Sequence, residues 1–255
     1  MRQFGLIGKS LSHSFSKVYF EEKFRREHIE DATYSLFELD DIKNIKDFIR
    51  QHPDLVGFNV TIPYKQQIIP FLDELSDEAQ AVGAVNTVVI QHTDNQIHTK
   101  GHNTDIIGFR QSLQGITLPE RALVLGSGGA ASAVMYVLEQ LGCTCSVVSR
   151  NPERGLPYSA LTPEIIHQHK FIVNCTPVGT FPNINEKPDI PYEGISGNHF
   201  LYDLVYNPAE TAFLKEGAMR DAKTMNGLTM LHAQAEAAWA CFRTVDCGLW
   251  TEDCG

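Results

Sequence analysis

One stretch in the middle of the chain constrains the fold most, because it combines an apolar run, a cluster of glycines and a helix-forming segment. Ala122 to Leu125 has the length of one buried strand and is too short for a helix. Gly126, Gly128 and Gly129 predict a tight turn, and the alanine-rich segment from Ala130 to Leu141 predicts a helix. Strand, glycine turn and helix in this order are the context that a dinucleotide-binding motif requires.

If the segment binds a dinucleotide, each small residue of this turn has a specific structural role. Gly126 permits the turn, Gly128 lets the backbone approach a pyrophosphate, and Ala131 lets the helix pack close to the strand. The N–H groups at the start of the helix attract phosphate oxygens. The glycines alone leave open an ordinary strand–helix turn as the alternative.

The end of the following strand indicates which dinucleotide would bind. An NAD site places an acidic residue about 20 residues past the glycines, on the ribose 2′-hydroxyl. This chain has no acid there, but has Ser149, Arg150 and Asn151, followed by Arg154. A guanidinium pairs with a 2′-phosphate, so the pattern favours NADP over NAD. A solvated arginine at a strand end is the alternative.

Composition narrows the possible partners and location. The length of 255 residues suits one or two domains, and the net charge of −10 at pH 7 disfavours a nucleic-acid partner. Six cysteines lie scattered without zinc-binding spacing, so no metal site is predicted. Without a signal peptide or an apolar run of membrane-spanning length, we expect a cytoplasmic protein with no membrane partner.

The order of predicted elements indicates an α/β fold of two domains. Strands are expected at 4–7, 33–39, 56–60, 87–91, 96–100, 122–125, 145–149, 171–174, 200–203 and 223–225, and helices at 17–27, 42–51, 76–82, 105–114, 130–141, 209–220 and 228–243. Three prolines and a glycine between 151 and 170 predict a short or broken crossover helix. We predict an α/β domain of residues 1–103 and 227–255, and a Rossmann-type doubly wound domain of residues 104–226, with a cleft between them.

Several polar residues stand at positions where chemistry could occur. Ser12, Ser14 and Ser16 could cradle a carboxylate or phosphate, although capping by Ser16 of the helix beginning at Lys17 explains them equally well. Lys65 follows the end of an apolar strand, where open α/β sheets present ligands, and a surface lysine is the alternative. Three further polar residues have no distinguishing feature singly, namely Asn86 at a turn, Asp105 at a helix start and Gln234 in an alanine-rich helix.

Taken together and in order, these segments resemble one family. The matching segments are Ser-His-Ser-Phe-Ser at 12–16, Asn-Val-Thr-Ile-Pro-Tyr-Lys at 59–65, Gly-Ala-Val-Asn-Thr at 83–87, Gly-His-Asn-Thr-Asp at 101–105, the glycine turn at 126–130, Asn-Cys-Thr-Pro-Val-Gly at 174–179, Asp-Leu-Val-Tyr-Asn-Pro at 203–208 and Asn-Gly-Leu-Thr-Met-Leu-His-Ala-Gln-Ala at 226–235. Over nearly its whole length the chain resembles the shikimate dehydrogenases of aromatic amino-acid biosynthesis.

The resemblance implies a reaction and a set of site residues. It implies NADPH-dependent reduction of a small-molecule substrate, 3-dehydroshikimate, to shikimate, with Lys65 and Asp105 as catalytic residues, in a monomer or homodimer. The implied substrate-binding residues are Ser14, Ser16, Thr61, Asn86, Tyr206 and Gln234. The implied cofactor-binding residues are Gly126, Ser127, Gly128, Gly129, Ala130, Ser149, Arg150, Asn151, Arg154, Thr176, Leu204 and Gly227.

Three residues depart from the family pattern. Lys17 replaces a proline, His102 stands where an acid is common, and Ser149 replaces the asparagine of the NADP clamp. We expect the first two to leave the site intact. The third predicts weaker NADP binding or a weaker preference for NADP over NAD.

Three other functions remain open. A quinate/shikimate dehydrogenase using NAD or NADP would share the catalytic pair and differ around Ser14 and Tyr206. A non-catalytic NADP-binding regulator would not need Lys65, Asp105 and Gln234 together. A folate dehydrogenase of similar two-domain plan would have no use for the Ser-x-Ser loop.

Overall fold

The computed structural model describes residues 1–11, 14–93 and 96–244. Ser12 of the hydroxyl-rich loop, the Asp-Asn tip of the predicted hairpin and the residues after 244 lie outside this part of the chain. Its internal contacts divide the chain into two compact units, one comprising Met1–Thr104 with the chain from Ala235 onward, the other Asp105–Gln234. The predicted domain ranges instead begin the second domain at Thr104 and end it before Gly227.

The first unit contains a mixed six-stranded sheet. Its elements are β1 (Arg2–Gly8), α1 (Phe15–Arg26), β2 (Ala32–Glu38), α2 (Ile45–Gln51), β3 (Leu55–Val60), β4 (Glu74–Leu75), α3 (Asp77–Val82), β5 (Thr87–His92) and β6 (Ile97–His102). The strand order is β2-β1-β3-β5-β6-β4, with β1, β2 and β3 parallel and β5 antiparallel to both β3 and β6. The predicted hairpin of β5 and β6 is confirmed.

The second unit contains a wholly parallel five-stranded sheet. Its elements are α4 (Asp105–Ser112), β7 (Arg121–Leu125), α5 (Gly129–Gln140), β8 (Thr144–Val148), α6 (Pro163–Gln168), β9 (Phe171–Asn174), β10 (Phe200–Asp203), α7 (Ala212–Ala218), β11 (Lys223–Asn226) and the first part of α8 (Leu228–Arg243), a helix that passes into the first unit at Ala235. The order β11-β10-β9-β7-β8 reverses between β7 and β9, which confirms the predicted doubly wound α/β class. Ligands of such sheets bind outside the carboxyl ends of the strands at this reversal.

Both faces of the first sheet are buried. Phe4 of β1 packs in a cluster with residues of α1 and of the second half of α8, among them Trp239, whose ring centroid lies 5.4 Å from that of Phe4. Ile7 of β1 belongs to a second cluster, which includes Ile45 and Ile49 of α2. A strand buried on both faces has an unbroken apolar run rather than an alternating one, which is why the start of the chain predicts a strand.

Two local expectations are wrong. Ser14, not Ser16, caps α1, because the chain turns into the helix two residues earlier and the Ser14 Oγ accepts the Ser16 N–H over 3.3 Å. In a Ser-x-Ser segment either hydroxyl can cap, and spacing alone does not choose between them. The apolar residues Val18, Phe20 and Phe24 stand at roughly helical spacing and predict one apolar face for this helix, but Val18 is exposed.

The helix expected at 209–220 is shorter than predicted. It begins at Ala212, because the Thr211 hydroxyl accepts the Leu214 N–H over 3.3 Å and caps it there. The crossover between β8 and β9 is broken as expected, with only the six-residue α6 and two short 3₁₀ turns. Within the described residues, no helix is both long enough and apolar enough to cross a membrane.

Candidate active site

The site residues predicted in the first unit lie at one end of its strands. The carboxyl ends of β1 and β3, the start of β5 and the end of β6 meet there. Backbone hydrogen bonds join them, from the Thr61 N–H to the Ile7 carbonyl (2.9 Å), and from the Val85 N–H to the Lys65 carbonyl (2.7 Å). Thr61 is thereby held beside the end of β1, and Lys65 beside the segment that carries Asn86.

Lys65 stands on an anchored turn rather than on a loose loop. Tyr64, directly before it, is buried, and its hydroxyl donates to the Leu39 carbonyl over 2.5 Å. The Lys65 side chain itself is half-buried. A lysine whose backbone is fixed on both sides can present its ammonium in a defined direction.

A buried hydrogen-bond network fixes the amide of Asn86. The Asn86 Oδ1 accepts the Thr104 N–H (2.7 Å), the Thr104 hydroxyl (3.1 Å) and the Thr87 hydroxyl (3.1 Å). Because the oxygen faces these donors, the amide nitrogen of Asn86 must face the other way. The same bonds hold the backbone of Thr104, the residue before Asp105.

Two members of this network, Asn59 and Tyr34, are not among the site residues predicted from the sequence. Asn59 donates through Nδ2 to the Asn86 carbonyl (3.3 Å) and to the Thr87 hydroxyl (3.1 Å), and accepts the Tyr34 hydroxyl (2.8 Å). Tyr34 is fully buried, and burial raises its pKa, so it stays a neutral donor. The available signal was a polar residue, Asn59, inside an otherwise apolar strand.

The hydroxyl-rich loop is tied to the same end of the sheet. Leu11 donates its N–H to the Glu38 carboxylate over 2.6 Å, and its carbonyl accepts the Ser14 N–H over 3.0 Å. Ser14 and Ser16 are both half-buried, at the cap and in the first turn of α1. Hydroxyl donors at a helix start suit a carboxylate.

In the second unit, the glycine turn and the end of β8 are joined through two serines. Gly126 has a φ of +113°, which favours glycine, and its N–H donates to the Val148 carbonyl over 2.8 Å. The Ser127 and Ser149 hydroxyls are 2.8 Å apart, and the Ser149 Oγ also accepts the Asn151 N–H over 3.1 Å. The predicted pyrophosphate turn and the predicted 2′-phosphate residues are therefore brought together.

The arginines after β8 stand on a loop closed at its base. The Ser149 N–H donates to the Leu156 carbonyl (2.9 Å), and the Leu156 N–H to the Val147 carbonyl (2.8 Å). Arg150, Asn151 and Arg154 are exposed on this loop. Two exposed guanidiniums on a short closed loop fit an anionic group such as a 2′-phosphate.

Three further predicted cofactor residues follow the ends of β9, β10 and β11. The Thr176 Cγ2 lies 3.2 Å from where a Cβ on Gly126 would stand, so Thr176 borders the glycine turn. Leu204 and Gly227 touch, because a Cβ on Gly227 would lie only 2.1 Å from the Leu204 carbonyl oxygen. Ala130 and Gly129 begin α5, with Gly128 as its cap, and a Cβ on Gly128 would meet only open space.

These residues fit a dinucleotide. The open space at Gly128, the unpaired first-turn N–H groups that any helix presents and the exposed arginines together suit a pyrophosphate and a 2′-phosphate. Among the described residues no group of three or more His, Cys, Asp or Glu side chains could hold a metal ion.

The remaining predicted residues belong to the second unit. Asp105 begins α4 and is buried. Gln234 lies on α8 against the next turn of α4, where a Cβ on Gly108 would stand 2.8 Å from the Gln234 Cβ. The Gln234 Nε2 donates to the Leu231 carbonyl over 3.0 Å, and Tyr206 is half-buried beyond β10.

The second unit has a doubly wound sheet with a glycine turn and an arginine loop. The first unit carries a fixed lysine and hydroxyl donors. Together these features define the class of protein, a nucleotide-dependent dehydrogenase. Residues 6–88 match the family model described as the shikimate dehydrogenase substrate binding domain. The chain belongs to the shikimate dehydrogenase family.

Individual relatives support this membership. A shikimate dehydrogenase (NADP(+)) of Caldicellulosiruptor bescii is 38% identical, over 92% of this chain and 87% of the relative. The Thermus thermophilus shikimate 5-dehydrogenase, solved in complex with NADP(H) and shikimate, is 30% identical with a TM-score of 0.81, over 95% of this chain and 93% of the other. A Corynebacterium glutamicum quinate dehydrogenase in complex with NAD is 28% identical with a TM-score of 0.81, over 94% and 93%.

Proposed function

We propose that the protein is an NADP-dependent shikimate dehydrogenase that reduces 3-dehydroshikimate to shikimate in the shikimate pathway. The observation that carries this proposal is the match of 92% of the chain, at 38% identity, to a relative of that name. Lys65 and the hydroxyl-rich loop lie inside the segment that matches the family's substrate-binding model.

On the substrate side, each proposed role follows from what the group can donate or accept. Ser14 and Ser16 would donate their hydroxyl hydrogens to the substrate carboxylate. Thr61 and Asn86 would bind the ring oxygens, with the Asn86 nitrogen as donor because its oxygen faces Thr104. Tyr206 and Gln234 would complete the substrate contacts.

Lys65 and Asp105 would perform the proton chemistry. Bound NADPH supplies the hydride for the ring ketone. The Lys65 ammonium would donate a proton to the oxygen on which negative charge develops, and its own charge would stabilise that oxygen beforehand. Asp105 would accept a hydrogen bond from a ring hydroxyl. The deprotonated lysine would regain its proton from water.

On the cofactor side, three groups of residues would each bind a different part of NADP. Gly126, Ser127, Gly128, Gly129 and Ala130 would hold the pyrophosphate by backbone N–H groups. The loop bearing Ser149, Arg150, Asn151 and Arg154 would hold the 2′-phosphate. Thr176, Leu204 and Gly227 would contact the nicotinamide half.

We also propose that the first compact unit carries Lys65 and most of the substrate contacts, and that the second carries the cofactor contacts together with Asp105, Tyr206 and Gln234. We propose further that the protein is a cytoplasmic monomer or homodimer. Because the cofactor contacts would lie in the second unit, the affinity of the protein for NADP should be measurable without shikimate. Light scattering after size exclusion distinguishes the two oligomeric states, and subcellular fractionation tests the location.

A four-arm assay tests the function. Purified protein is mixed with shikimate or quinate and with NADP or NAD, and the reduced cofactor is followed by absorbance. We expect strong turnover with shikimate and NADP and little in the other arms. No turnover in any arm, from folded protein that still binds NADPH, would favour a non-catalytic regulator.

One observation favours a second candidate, a quinate/shikimate dehydrogenase that accepts NAD. Ser149 is short, and its hydroxyl is used on Ser127 and on the Asn151 N–H, so it reaches less far than an asparagine would. The quinate dehydrogenase solved with NAD has the same overall fold. Turnover in the quinate or NAD arms would support this candidate.

A further inference from the structure

Two polar side chains to which the proposed function assigns no role are buried together where β9 and β10 end. Asn174 and Asp203 are neighbours in the parallel register of the two strands, and both are 0% exposed. The Asn174 Nδ2 donates to the Asp203 Oδ1 over 2.9 Å. We call them the Asn174–Asp203 pair.

The carboxylate of this pair is satisfied by donors from three directions. Besides Asn174, it accepts the Val205 N–H (3.0 Å) on Oδ1 and the Thr211 hydroxyl (2.6 Å) on Oδ2. A buried carboxylate is costly unless donors compensate it, so these bonds hold the chain after β10 in one conformation. Even so, burial raises the pKa of Asp203 to about 6.

The same pair anchors the segments that would hold the cofactor. The Asn174 Oδ1 accepts both the N–H (3.0 Å) and the hydroxyl (2.6 Å) of Thr176, and the Asn174 carbonyl accepts the Leu204 N–H (2.9 Å). The Gly227 N–H donates to the Val205 carbonyl over 3.2 Å, so the third segment is tied to the chain held by Asp203.

We propose that Asn174 and Asp203 are positioning residues for the cofactor, acting through Thr176, Leu204 and Gly227 without touching it. This inference rests on the proposed NADP-dependent function. Its physical basis is that cofactor groups must be held by residues whose own conformations are locked by buried hydrogen bonds.

Replacement of Asp203 by asparagine tests the hydrogen bonds of the carboxylate without changing the size of the side chain. The Asp203→Asn side chain keeps the shape of aspartate but turns one N–H₂ toward donors that need an acceptor, so at least one of the bonds to Asn174, Val205 or Thr211 is lost. We expect the dissociation constant for NADPH to rise at least about 10-fold, because a hydrogen bond to a charged group has been lost.

Tyr202→Phe is the matched control. Tyr202 precedes Asp203 in β10, is fully buried, and donates its hydroxyl to the Ser112 Oγ over 2.8 Å within the same unit. Loss of the Tyr202 hydroxyl removes a buried hydrogen bond that does not involve the segments around Thr176, Leu204 and Gly227. We expect it to lower the melting temperature and to leave NADPH affinity within about twofold of wild type.

NADPH binding is measured by fluorescence titration without substrate, alongside thermal unfolding. An unchanged NADPH affinity in folded Asp203→Asn, or an equal loss in Tyr202→Phe, would overturn the inference. If Asp203→Asn does not fold, Thr211→Val removes one donor to Asp203 together with the cap of α7, and it should weaken NADPH binding at least about threefold. An unchanged affinity there also overturns the inference. Wild-type protein that binds no NADPH would instead refute the proposed function.

Discussion

At the scale of single residues, Lys65 has the most consequence for the proposed chemistry. Its backbone is fixed by the Val85 N–H and by the buried Tyr64, while its side chain is half-buried. The arrangement suits a proton donor, because the flexible side chain is directed by a rigid turn. A surface lysine would not need either anchor.

Lys65→Ala should lower kcat at least about 100-fold and change shikimate binding little, because a positioned general acid contributes a factor of that order. Steady-state kinetics with shikimate and NADP measure kcat, and calorimetry measures binding. Lys46→Ala, at an exposed lysine of α2, is the control that should retain activity. Near-wild-type turnover in Lys65→Ala would remove Lys65 from the mechanism.

Two glycines near the cofactor segments should respond differently to the same methyl group. At Gly227 a Cβ would stand 2.1 Å from the Leu204 carbonyl oxygen, whereas at Gly128 it would meet nothing within 4 Å. Gly227→Ala should therefore lower the free energy of unfolding by about 1–3 kcal/mol, and Gly128→Ala by less than about 1 kcal/mol.

Gly128→Ala should nevertheless weaken NADPH binding, because its methyl group would occupy the space through which the backbone approaches a pyrophosphate. Urea denaturation measures the first effect and fluorescence titration the second. Equal losses of stability in the two variants would contradict this account of the glycines.

At the scale of elements, His199 links α6 to the start of β10. The Ser196 N–H donates to the His199 Nδ1 (3.0 Å), and the His199 Nε2 donates to the Ile166 carbonyl (3.1 Å), an arrangement that requires the neutral ring. Burial lowers the pKa of His199, and the nearby charges of Lys170 and His167 act in the same direction.

Because the pKa of His199 is lower in the folded than in the unfolded protein, the unfolded state binds more protons between the two values. The stability that the neutral ring contributes is therefore fully present above about pH 6.5 and is lost as the pH falls through the folded-state pKa. The free-energy difference between wild type and His199→Gln should shrink as urea unfolding is moved from pH 8 to pH 5.

The control for this prediction is His28→Asn. His28 is exposed and has a φ of +55°, which asparagine tolerates, so this loss of an imidazole should change the free energy of unfolding little. A pH-independent difference for His199→Gln would show that the ring titrates equally in both states.

At the scale of the whole molecule, the chain leaves its first unit at Thr104 and returns to it at Ala235, within α8. The second half of that helix supplies Ala238, Trp239 and Phe242 to the core of the first unit. The second unit buries its own cluster around Phe213 and Ile172. Each unit therefore has an apolar core of its own.

Trp239→Ala should lower the stability of the first unit by about 3–5 kcal/mol, the usual cost of truncating a buried aromatic side chain. NADPH affinity, measured below the unfolding transition, should stay within about twofold, since the proposed cofactor residues lie in the second unit. Trp239→Phe, which keeps an aromatic ring against Phe4, should cost less. A large loss of NADPH affinity in folded Trp239→Ala would contradict the proposed division of labour.

The sequence by itself determined the class of fold and the neighbourhood of the site, because those signals are local. Gly126 can adopt a positive φ at no steric cost, and the short apolar run from Ala122 to Leu125 is favoured as a buried strand. Ordered motifs along the chain then indicated the family. Each of these inferences depends on residues close together in sequence.

Only the tertiary structure decided which distant groups meet. The Ser127–Ser149 contact, the hold of Asn59 on Asn86 and the Asn174–Asp203 pair join residues more than 20 positions apart. Such pairs depend on strand order and register, which are set by how the sheets pack and which no local pattern encodes. Likewise Ser14 rather than Ser16 caps α1, where two equivalent hydroxyls left the choice to the path of the chain.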